Sequence, residues 1–553
     1  MKRLKTVKRV LAIMLTLTLI ITLSGIYKSV TYAADTYSIT ITNNNNDDGT
    51  HTYGAYKIFD ITFNSAGEPS VTGWGAGVHG DNLIEALKAD QTIGSYFTSA
   101  TTAAQVAAVL TNNIAVFAND TADDADYDTE TKAFVKVVSA NLVTPAAATS
   151  NSNGVISGLV AGYYFVKDEA APGPANPTTG DNNGAYTRFI LQLIKNTSIS
   201  ISSKTDAPKL VIKIKEDSYS TDDGFGVGYN DVADYETSEE VPYELIATLP
   251  TNVSAYDTYK VVFNDTLDTV LENPKDFVVT INGTPIATDK YTISSRDDTT
   301  GLFTITIDDI FDAVGATTSA QREALDGTDI VVKYTATLGD DAVAGQGYEN
   351  TVTLSYSNNP NDSGSNNTNL GLTPPDEVIV FTYKENFTKV DGADVNTKLK
   401  DAEFVLRKGT GTSAKYATIA NGKVTGWVAD EANATVLKSA ADGTFSVEGL
   451  DSKDQYFLHE TKAPEGYALA ENDVEVTIDS AIKTQQNWTG NVADAYNSTV
   501  SGGIFTVAKD ITNTKLTALP TTGGIGTTVF YVVGIILVLG AGVLLITRKR
   551  SRN

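Results

Sequence analysis

Alternating apolar and polar residues recur along the chain and predict β-strands. Because successive side chains of a strand point to opposite faces, runs with a period near two are typical of antiparallel strands with one buried face. Turn pairs such as Asn282-Gly283 and Asp442-Gly443 lie between such runs, as expected for β-hairpins. The clearest runs are rich in Thr and Val and cover residues 37–42, 277–281, 303–307, 351–356 and 474–478.

Breaks in this pattern predict three β-rich modules. Asn, Gly, Ser and Pro cluster near residues 203–208 and 358–375, which favours linkers there. We therefore expect an all-β, elongated chain of three tandem β-sandwiches at residues 34–203, 204–375 and 376–516. Helical periodicity is scarce, and its best candidates are residues 82–87 and 103–110 in the first module.

The two ends of the chain have the pattern of targeting signals. Five basic residues between positions 2 and 9 precede an apolar run at 10–23, and small residues follow at Ala33 and Ala34. This order predicts a secretory signal peptide at residues 1–33, with an uncleaved membrane anchor as the alternative. At the other end, apolar residues 529–547 are long enough to span a bilayer, and the basic tail 548–553 favours a cytoplasmic C-terminus.

A pentapeptide precedes the C-terminal span, and its residues are Leu519, Pro520, Thr521, Thr522 and Gly523. Pro520 fixes an extended, kinked backbone that cannot join a sheet ladder, which suits presentation to another protein. A Leu-Pro-x-Thr-Gly sequence, an apolar span and a basic tail together resemble the cell-wall sorting signal of Gram-positive surface proteins. The resemblance implies that a sortase cuts between Thr522 and Gly523 and transfers the Thr522 carbonyl to an amine.

Composition narrows the function classes. The 553 residues have a formal net charge of −26, no cysteine and three histidines. Nucleic-acid binding needs clustered Lys and Arg, so we expect no nucleic-acid partner. The absence of cysteine excludes disulfides and thiolate chemistry, and so few histidines disfavour a metal cluster or a Ser-His-Asp triad. We expect no cofactor and no metal; acidic turns at 43–49 and 222–224 could hold calcium, but neither has EF-hand spacing.

The third module contains the most specific motif, at residues 456–467, which read Tyr-Phe-Leu-His-Glu-Thr-Lys-Ala-Pro-Glu-Gly-Tyr. This segment resembles the E-box of Gram-positive pilins. The segments around Lys389 and Asn513 resemble the first and last strands of an Ig-like, CnaB-type pilin domain. The resemblance implies an intramolecular isopeptide bond between Lys389 and Asn513, formed with the help of Glu460.

The alternation of apolar and polar residues supports this site independently of the family resemblance. Lys389, Glu460 and Asn513 each share a strand face with an apolar residue two positions away, so packing drives all three toward the core. Burial lowers the pKa of a lysine and raises that of a carboxyl, which favours attack of a neutral amine on the Asn carbonyl and release of ammonia. A buried, unlinked Lys–Glu pair is the alternative.

The middle module resembles the CnaA-type domain of the same backbone pilins over most of its length. In such domains an Asp shuttles the proton, and Asp265 matches it. Asn350 shares a face with apolar neighbours and is the expected acceptor, with Asn358 in reserve. Lys213 is the expected lysine, on the polar face of residues 209–215. The similar segments are residues 231–235, 261–267, 331–338 and 348–360.

The first module contains a fainter copy of the motif. Residues 164–173 resemble the E-box, with Asp168 in the acid position. Lys57 and Asn196 would complete a further isopeptide site. A surface turn is the alternative for Asp168.

A polymerising pilin also presents an amine outside its cores. Lys204 lies in a polar segment that ends at Pro208, between the first and middle modules. It occupies the place where backbone pilins of this type have their linking lysine. Lys195 is the nearest competitor.

Together these features predict a non-enzymatic protein, the structural shaft subunit of a pilus that is secreted and attached to the cell wall. The resemblance implies that a pilus sortase joins Thr522 of one subunit to the linking lysine of an identical subunit. A housekeeping sortase then joins the last subunit to peptidoglycan through lipid II. The sequence does not identify a host receptor. The alternatives are a monomeric wall-anchored adhesin of collagen-binding type and a surface enzyme.

Overall fold

The computed structural model describes residues 35–43, 47, 49–117, 129–172, 184–195, 197–203, 205–361, 370–497, 505–516 and 526–551. Strands predominate in this part of the chain, as the alternating pattern predicts. Cα proximity divides the chain into two compact units. The first is Met1–Tyr383, Asp451–Lys453 and Ser480–Thr499, and the second is Lys384–Leu450, Asp454–Asp479 and Val500–Asn553.

The beginning of the first unit combines two sheets with helices. Its elements are β1 Tyr37–Thr42, β2 Tyr53–Phe63, β3 Pro69–Trp74, α1 Gly80–Ala89, α2 Gly94–Phe97, α3 Ala103–Asn112, α4 Ile114–Phe117, α5 Thr129–Ala140, β4 Ala148–Thr149, β5 Val155–Leu159, β6 Gly162–Asp168, β7 Ile190–Ile194 and β8 Ile199–Ser202. One sheet has the order β5-β1-β8, and the other has the order β3-β2-β6-β7 with β4 added to β2.

Helices α1 and α3 each bury one apolar stripe. In α1, Leu83, Ile84 and Leu87 are buried and join the core formed with β2 and β6. The spacing of these residues is that of one helix face. The helices predicted at 82–87 and 103–110 are confirmed as α1 and α3, whereas α2, α4 and α5 were not predicted.

The rest of the first unit is a two-sheet sandwich. Its elements are β9 Lys209–Lys215, β10 Tyr229–Asn230, β11 Val232–Asp234, β12 Glu240–Thr248, β13 Val261–Leu267, β14 Leu271–Ile281, β15 Thr284–Pro285, β16 Thr292–Ile293, β17 Leu302–Ile307, α6 Ile310–Val314, α7 Ser319–Glu323, β18 Asp329–Leu338, β19 Tyr348–Ser357, β20 Leu370–Leu372 and β21 Asp376–Phe381. One sheet has the order β10-β9-β12-β18-β14-β15. The other has the order β11-β21-β19-β13-β17-β16, with β20 added to β19.

Alternation places every second residue of the central strands β13 and β18 in a shared core. In β13, for example, Val261, Phe263 and Asp265 are buried and the residues between them are not. Apolar residues from both sheets form one cluster, which is the sandwich core. The turn between β14 and β15 has positive φ at Asn282 and Gly283, as the hairpin signal predicts.

The second unit is organised around a nine-stranded sheet. Its elements are β22 Tyr383–Asp391, β23 Glu403–Lys408, β24 Lys415–Ala420, β25 Lys423–Val428, β26 Leu437–Lys438, β27 Thr444–Leu450, β28 Tyr456–Lys462, β29 Val474–Val476, β30 Thr506–Asn513 and α8 Gly526–Arg550. The order is β29-β28-β23-β24-β25-β27-β22-β30, with β26 added to β23. Strands β22 and β30 are parallel, with Lys389 opposite Ile511 and Asp391 opposite Asn513.

The C-terminal helix α8 has the length and composition of a membrane span. Its segment Thr528–Arg550 has a mean hydropathy of 2.9, and none of its most apolar window is buried. The span predicted at 529–547 lies within this helix. Three basic residues form its last turn.

Candidate functional site

Lys389, Glu460 and Asn513 come together in the core of the second unit. Lys389 lies on β22, Glu460 on β28 and Asn513 at the end of β30, with exposed fractions of 0, 4 and 4%. Up to the polar residue, each strand alternates buried and more exposed positions, so the apolar residues that face the core carry these polar side chains with them. The structure therefore assembles the cluster that the sequence predicts for the third module.

The Glu460 carboxylate contacts both of the other groups. Its Oε1 lies 3.3 Å from Lys389 Nζ, at ion-pair distance. Its Oε2 accepts hydrogen bonds from Asn513 Nδ2 at 2.8 Å and from the Ala470 backbone N–H at 2.8 Å. Asn513 Nδ2 also donates to the Ala468 carbonyl at 2.5 Å. One carboxylate oxygen thus faces the amine, and the other faces the amide nitrogen.

Several polar atoms of this cluster have no hydrogen-bond partner within the described residues. They are Lys389 Nζ, Glu460 Oε1 and Asn513 Oδ1, all of which are buried. Burial lowers the pKa of Lys389, and the charge of Glu460 opposes this lowering only in part. The neutral amine is therefore easier to reach than in water, and one buried donor and two buried acceptors make no hydrogen bond within the described residues.

This arrangement has the parts of an amide exchange. A neutral amine is a nucleophile, the Asn513 amide is its electrophile, and the Glu460 carboxylate touches both nitrogen atoms. Fixing the groups in contact replaces a bimolecular encounter by an intramolecular one.

In the middle module, Asp265 and Asn350 also meet in the core, but their common partner is Tyr334. Tyr334 Oη donates to Asp265 Oδ2 at 2.8 Å and accepts from Asn350 Nδ2 at 2.6 Å. Tyr334 lies on β18 of one sheet, and the other two residues lie on β13 and β19 of the opposite sheet. Burial raises the pKa of Asp265 to about 7, although the hydrogen bonds from Tyr334 and Asn350 lower it. The cluster links the two sheets through a phenol.

The structure does not bring Lys213 to this cluster. Lys213 Nζ is 2.5 Å from Asp231 Oδ1, donates to the Gln486 carbonyl at 3.1 Å and lies over the Phe225 ring. The reason is the strand face: the neighbours Ile212 and Ile214 are fully buried in the sandwich core, so Lys213 points to the other side of β9. This position does not suit the role expected for Lys213 in a bond to Asn350.

The reserve acceptor Asn358 also lies away from Asp265. It follows the end of β19, and its Nδ2 donates to the Gly184 carbonyl at 3.4 Å. Within β19, Asn350 is opposite Leu267 and Val352 is opposite Asp265. Asn350 is therefore a diagonal neighbour of Asp265 on the buried face, whereas Asn358 lies beyond the end of the strand.

In the first module, Asp168 is buried and faces a histidine. Its Oδ1 lies 2.9 Å from His51 Nδ1, and Oδ2 accepts from the Thr187 backbone N–H at 2.7 Å. The other ring nitrogen of His51 is 3.2 Å from Asp47 Oδ2. Although burial alone lowers the pKa of His51, hydrogen bonds to the two carboxylates and their charges raise it to about 9. The imidazolium therefore bridges two buried acids.

The lysine and asparagine expected beside Asp168 are not placed there. Lys57 Nζ is 2.5 Å from Asp60 Oδ1, on the same strand, and not at the acid. Asn196 lies outside the described residues. The surface-turn alternative for Asp168 is wrong, because the residue is 5% exposed and belongs to β6.

Several predicted segments lie outside the described residues: the signal peptide at 1–33, Lys204, and Leu519, Pro520, Thr521, Thr522 and Gly523. Lys195 is described and exposed. The helix that follows the pentapeptide is α8.

Sequence reasoning missed Tyr334 and His51. Tyr334 alternates with Val332 and Ala336 on the buried face of β18, and a buried phenol usually finds a hydrogen-bond partner, so this signal was available. His51 precedes β2 in a polar segment without periodicity, and nothing in the pattern marks it as buried.

Comparison with known proteins supports the interpretation of the C-terminal part of the chain. Residues 384–492 match the SpaA family, described as a prealbumin-like fold domain, and residues 511–553 match the LPXTG cell wall anchor motif. The trypsin-resistant surface T6 protein of Streptococcus pyogenes serotype M6 is 26% identical over 283 residues, which are 40% of this chain and 48% of that protein. The chain thus spans about half the length of this curated relative.

Solved pilin structures are also similar. The T6 backbone pilin of serotype M6 Streptococcus pyogenes is 19% identical with a TM-score of 0.46, covering 88% of this chain and 100% of that one. The full-length major pilin SpaD of Corynebacterium diphtheriae is 15% identical with a TM-score of 0.46, covering 87% and 98%. By its matched anchor motif and the apolar helix α8, the chain is a cell-wall-anchored surface protein, and it is similar to proteins described as major or backbone pilins.

Proposed function

We propose that the chain is the shaft subunit of a sortase-polymerised pilus, and that its third module is stabilised by an isopeptide bond between Lys389 and Asn513. The contact of Glu460 with both the Lys389 amine and the Asn513 amide carries this proposal. The cell wall anchor motif at residues 511–553 gives the chain its route to a sortase.

The proposed bond forms in one turnover. The neutral Lys389 amine attacks Cγ of Asn513, and a C–N bond forms. The Glu460 carboxylate takes the proton that the amine loses and passes it to the amide nitrogen of Asn513. The bond from Cγ to Nδ2 then breaks, and ammonia leaves. Ala468 and Ala470 orient the leaving nitrogen and the carboxylate through their backbone groups.

A covalent bond at this place would stabilise the module mechanically. It joins β22 to β30 and closes a chain segment of more than one hundred residues. Closing so long a loop lowers the entropy of the unfolded chain, by about 4–5 kcal/mol in the simplest account. A link between the first and last strands also opposes their separation under force or protease attack.

Intact mass of the full chain, followed by peptide mapping, tests the bond. Each Lys–Asn condensation removes one ammonia, about 17 Da. We expect one such deficit, in a peptide pair that contains Lys389 and Asn513, and its loss in Glu460→Ala. Glu385→Ala is the matched control, because Glu385 is another buried acid of this unit, on β22, and its carboxylate makes no hydrogen bond within the described residues. A wild-type chain of full sequence mass would overturn the proposal.

Polymerisation is tested by co-expression with a pilus sortase. We propose that Thr522 is joined to Lys204 of the next subunit, and that the last subunit is attached to peptidoglycan through lipid II. A covalent ladder on a denaturing gel should form with the wild type and with Lys195→Ala, and should disappear with Lys204→Ala. Wall attachment without any ladder would favour the monomeric adhesin instead.

A further inference from the structure

Asp391 connects three segments of the second unit. It is the last residue of β22, two positions after Lys389, and its side chain is 3% exposed. Its Oδ2 accepts from Tyr467 Oη at 2.9 Å and lies 3.0 Å from Lys515 Nζ. Its Oδ1 accepts from the Ala393 backbone N–H at 2.8 Å. These hydrogen bonds, with the charge of Lys515, lower the pKa of Asp391 to about 2, so the group is an anion at neutral pH.

Both side-chain partners of Asp391 are next to groups that hold the proposed acceptor. Lys515 follows Asn513 by two residues and pairs with Tyr467 in an isolated β-bridge. Tyr467 precedes Ala468, whose carbonyl accepts the Asn513 side-chain N–H. The Ala468 backbone N–H in turn donates to Thr514 at 2.9 Å. Asp391, Tyr467 and Lys515 thus tie the lysine strand, the segment after Glu460 and the asparagine strand to one another.

We propose that Asp391, Tyr467 and Lys515 are positioning residues for the isopeptide reaction, which we name the Asp391 clamp. The inference rests on the proposed function of the Lys389, Glu460 and Asn513 cluster. Asn513 is the last residue of β30 and is opposite Asp391, the last residue of β22. Strand ends fray, and intramolecular reactions depend steeply on the position of the reacting atoms. The clamp holds this end of the parallel pair so that the Asn513 amide stays at the amine.

The clamp has a feature that a simple surface ion pair lacks. Only its lysine is exposed, with 66% of the Lys515 side chain accessible, while its carboxylate is covered and receives three contacts. An exposed pair in the same unit offers the comparison: Lys462 Nζ is 2.9 Å from Glu403 Oε1, with 61 and 28% of the side chains exposed. Lys462 is also two residues after a member of the reactive cluster, Glu460.

The experiment follows bond formation in the full chain over time. The chain is synthesised in a pulse with detergent present, and peptide mapping gives the fraction of Lys389 linked to Asn513 at successive times. We expect Asp391→Asn and Lys515→Met to slow linkage by tenfold or more. Lys515→Arg should restore most of the rate, because an arginine keeps the charge beside Asp391. Lys462→Met should link at the wild-type rate.

The outcomes separate the clamp from the bond itself. Tyr467→Phe keeps the ring and removes one hydrogen bond, so it tests the clamp if Asp391→Asn does not fold. Hydrogen exchange of β23 and β28 at wild-type protection, together with slow linkage, supports positioning. Wild-type linkage rates in Asp391→Asn, Lys515→Met and Tyr467→Phe would overturn the clamp and leave the bond intact. Absence of linkage in the wild type would overturn both.

Discussion

Replacing Asp265 by Asn should remove a pH-dependent loss of folding stability from the middle module. Asp265 is fully buried, and burial raises its pKa to about 7. In the unfolded chain the same carboxyl ionises near pH 4. Between these pH values the unfolded state has released a proton that the folded state still holds, so stability falls as pH rises. Below about pH 4 the carboxyl is protonated in both states, and above about pH 7 it is ionised in both, so outside this window its effect on stability is constant.

The magnitude follows from the difference between the two pKa values. About three pKa units, at 1.36 kcal/mol each, give about 4 kcal/mol, or a thousandfold in the equilibrium for opening the module. An asparagine has nearly the same shape and can accept the hydrogen bond from Tyr334, but it does not ionise. The substitution should therefore have little effect at pH 4 and stabilise the module progressively toward pH 7.

Hydrogen exchange of peptides from β13, measured on the full chain between pH 4 and pH 8, provides the assay. After correction for the intrinsic exchange rate, protection in the wild type should fall by up to a thousandfold relative to Asp265→Asn. Other buried carboxyls of the first unit, such as Glu216 and Asp326, titrate equally in both chains and cancel in the comparison. Asp308→Asn is the control, because the Asp308 side chain is 70% exposed. The same pH dependence in wild type and Asp265→Asn would refute the reasoning.

Two further substitutions test the buried ion pairs of His51 and Lys213. His51→Gln should destabilise the first module by about 3–5 kcal/mol below pH 6.5, because two buried carboxylates lose their counter-charge. This difference from the wild type should shrink as pH rises through about 9, where His51 loses its proton, and a constant difference in denaturant unfolding would contradict it. Lys213→Met should cost about 3–5 kcal/mol by leaving Asp231 without its buried partner, yet leave the ammonia deficit unchanged. A smaller mass deficit in Lys213→Met than in the wild type would show that Lys213 takes part in an isopeptide bond.

Much of the fold could be predicted because strand alternation reports burial directly. The runs at 37–42 and 303–307 are strands β1 and β17, and the Asn282-Gly283 turn has the predicted backbone conformation. Helix α5 was missed, although Phe134, Val135 and Val138 are buried on one face. Lys132 and Lys136 lie among its apolar residues, so the helical spacing of those apolar residues is difficult to recognise in so short a segment.

The candidate sites also include residues that the sequence predicts and residues that it does not. The Lys389 cluster could be predicted because each member shares a strand face with apolar residues, so pattern and motif agree. Lys213 shows the opposite case, since the pattern had placed it on the polar face of β9 and only the family suggested a core role. Which residue meets a buried acid across a sandwich depends on how the two sheets face each other. Sequence spacing does not encode that relation, and Tyr334 was missed for this reason.

The acids that the sequence predicts for the three candidate sites are all buried, and the chemistry of the partner decides what each of these acids can do. Beside Glu460 the partner is an amine, whose pKa burial lowers, so a lone pair becomes available next to an amide. Beside Asp265 the partner is the Tyr334 phenol, and burial raises the pKa of this group well above its usual value, so a phenolate nucleophile is out of reach. Beside Asp168 the partner is an imidazolium with both nitrogens directed at carboxylates, so it has no free lone pair. We therefore expect the mass deficit of the whole chain to be one ammonia and not three. The first and middle modules then depend on contacts that respond to pH, and the third on a bond that does not.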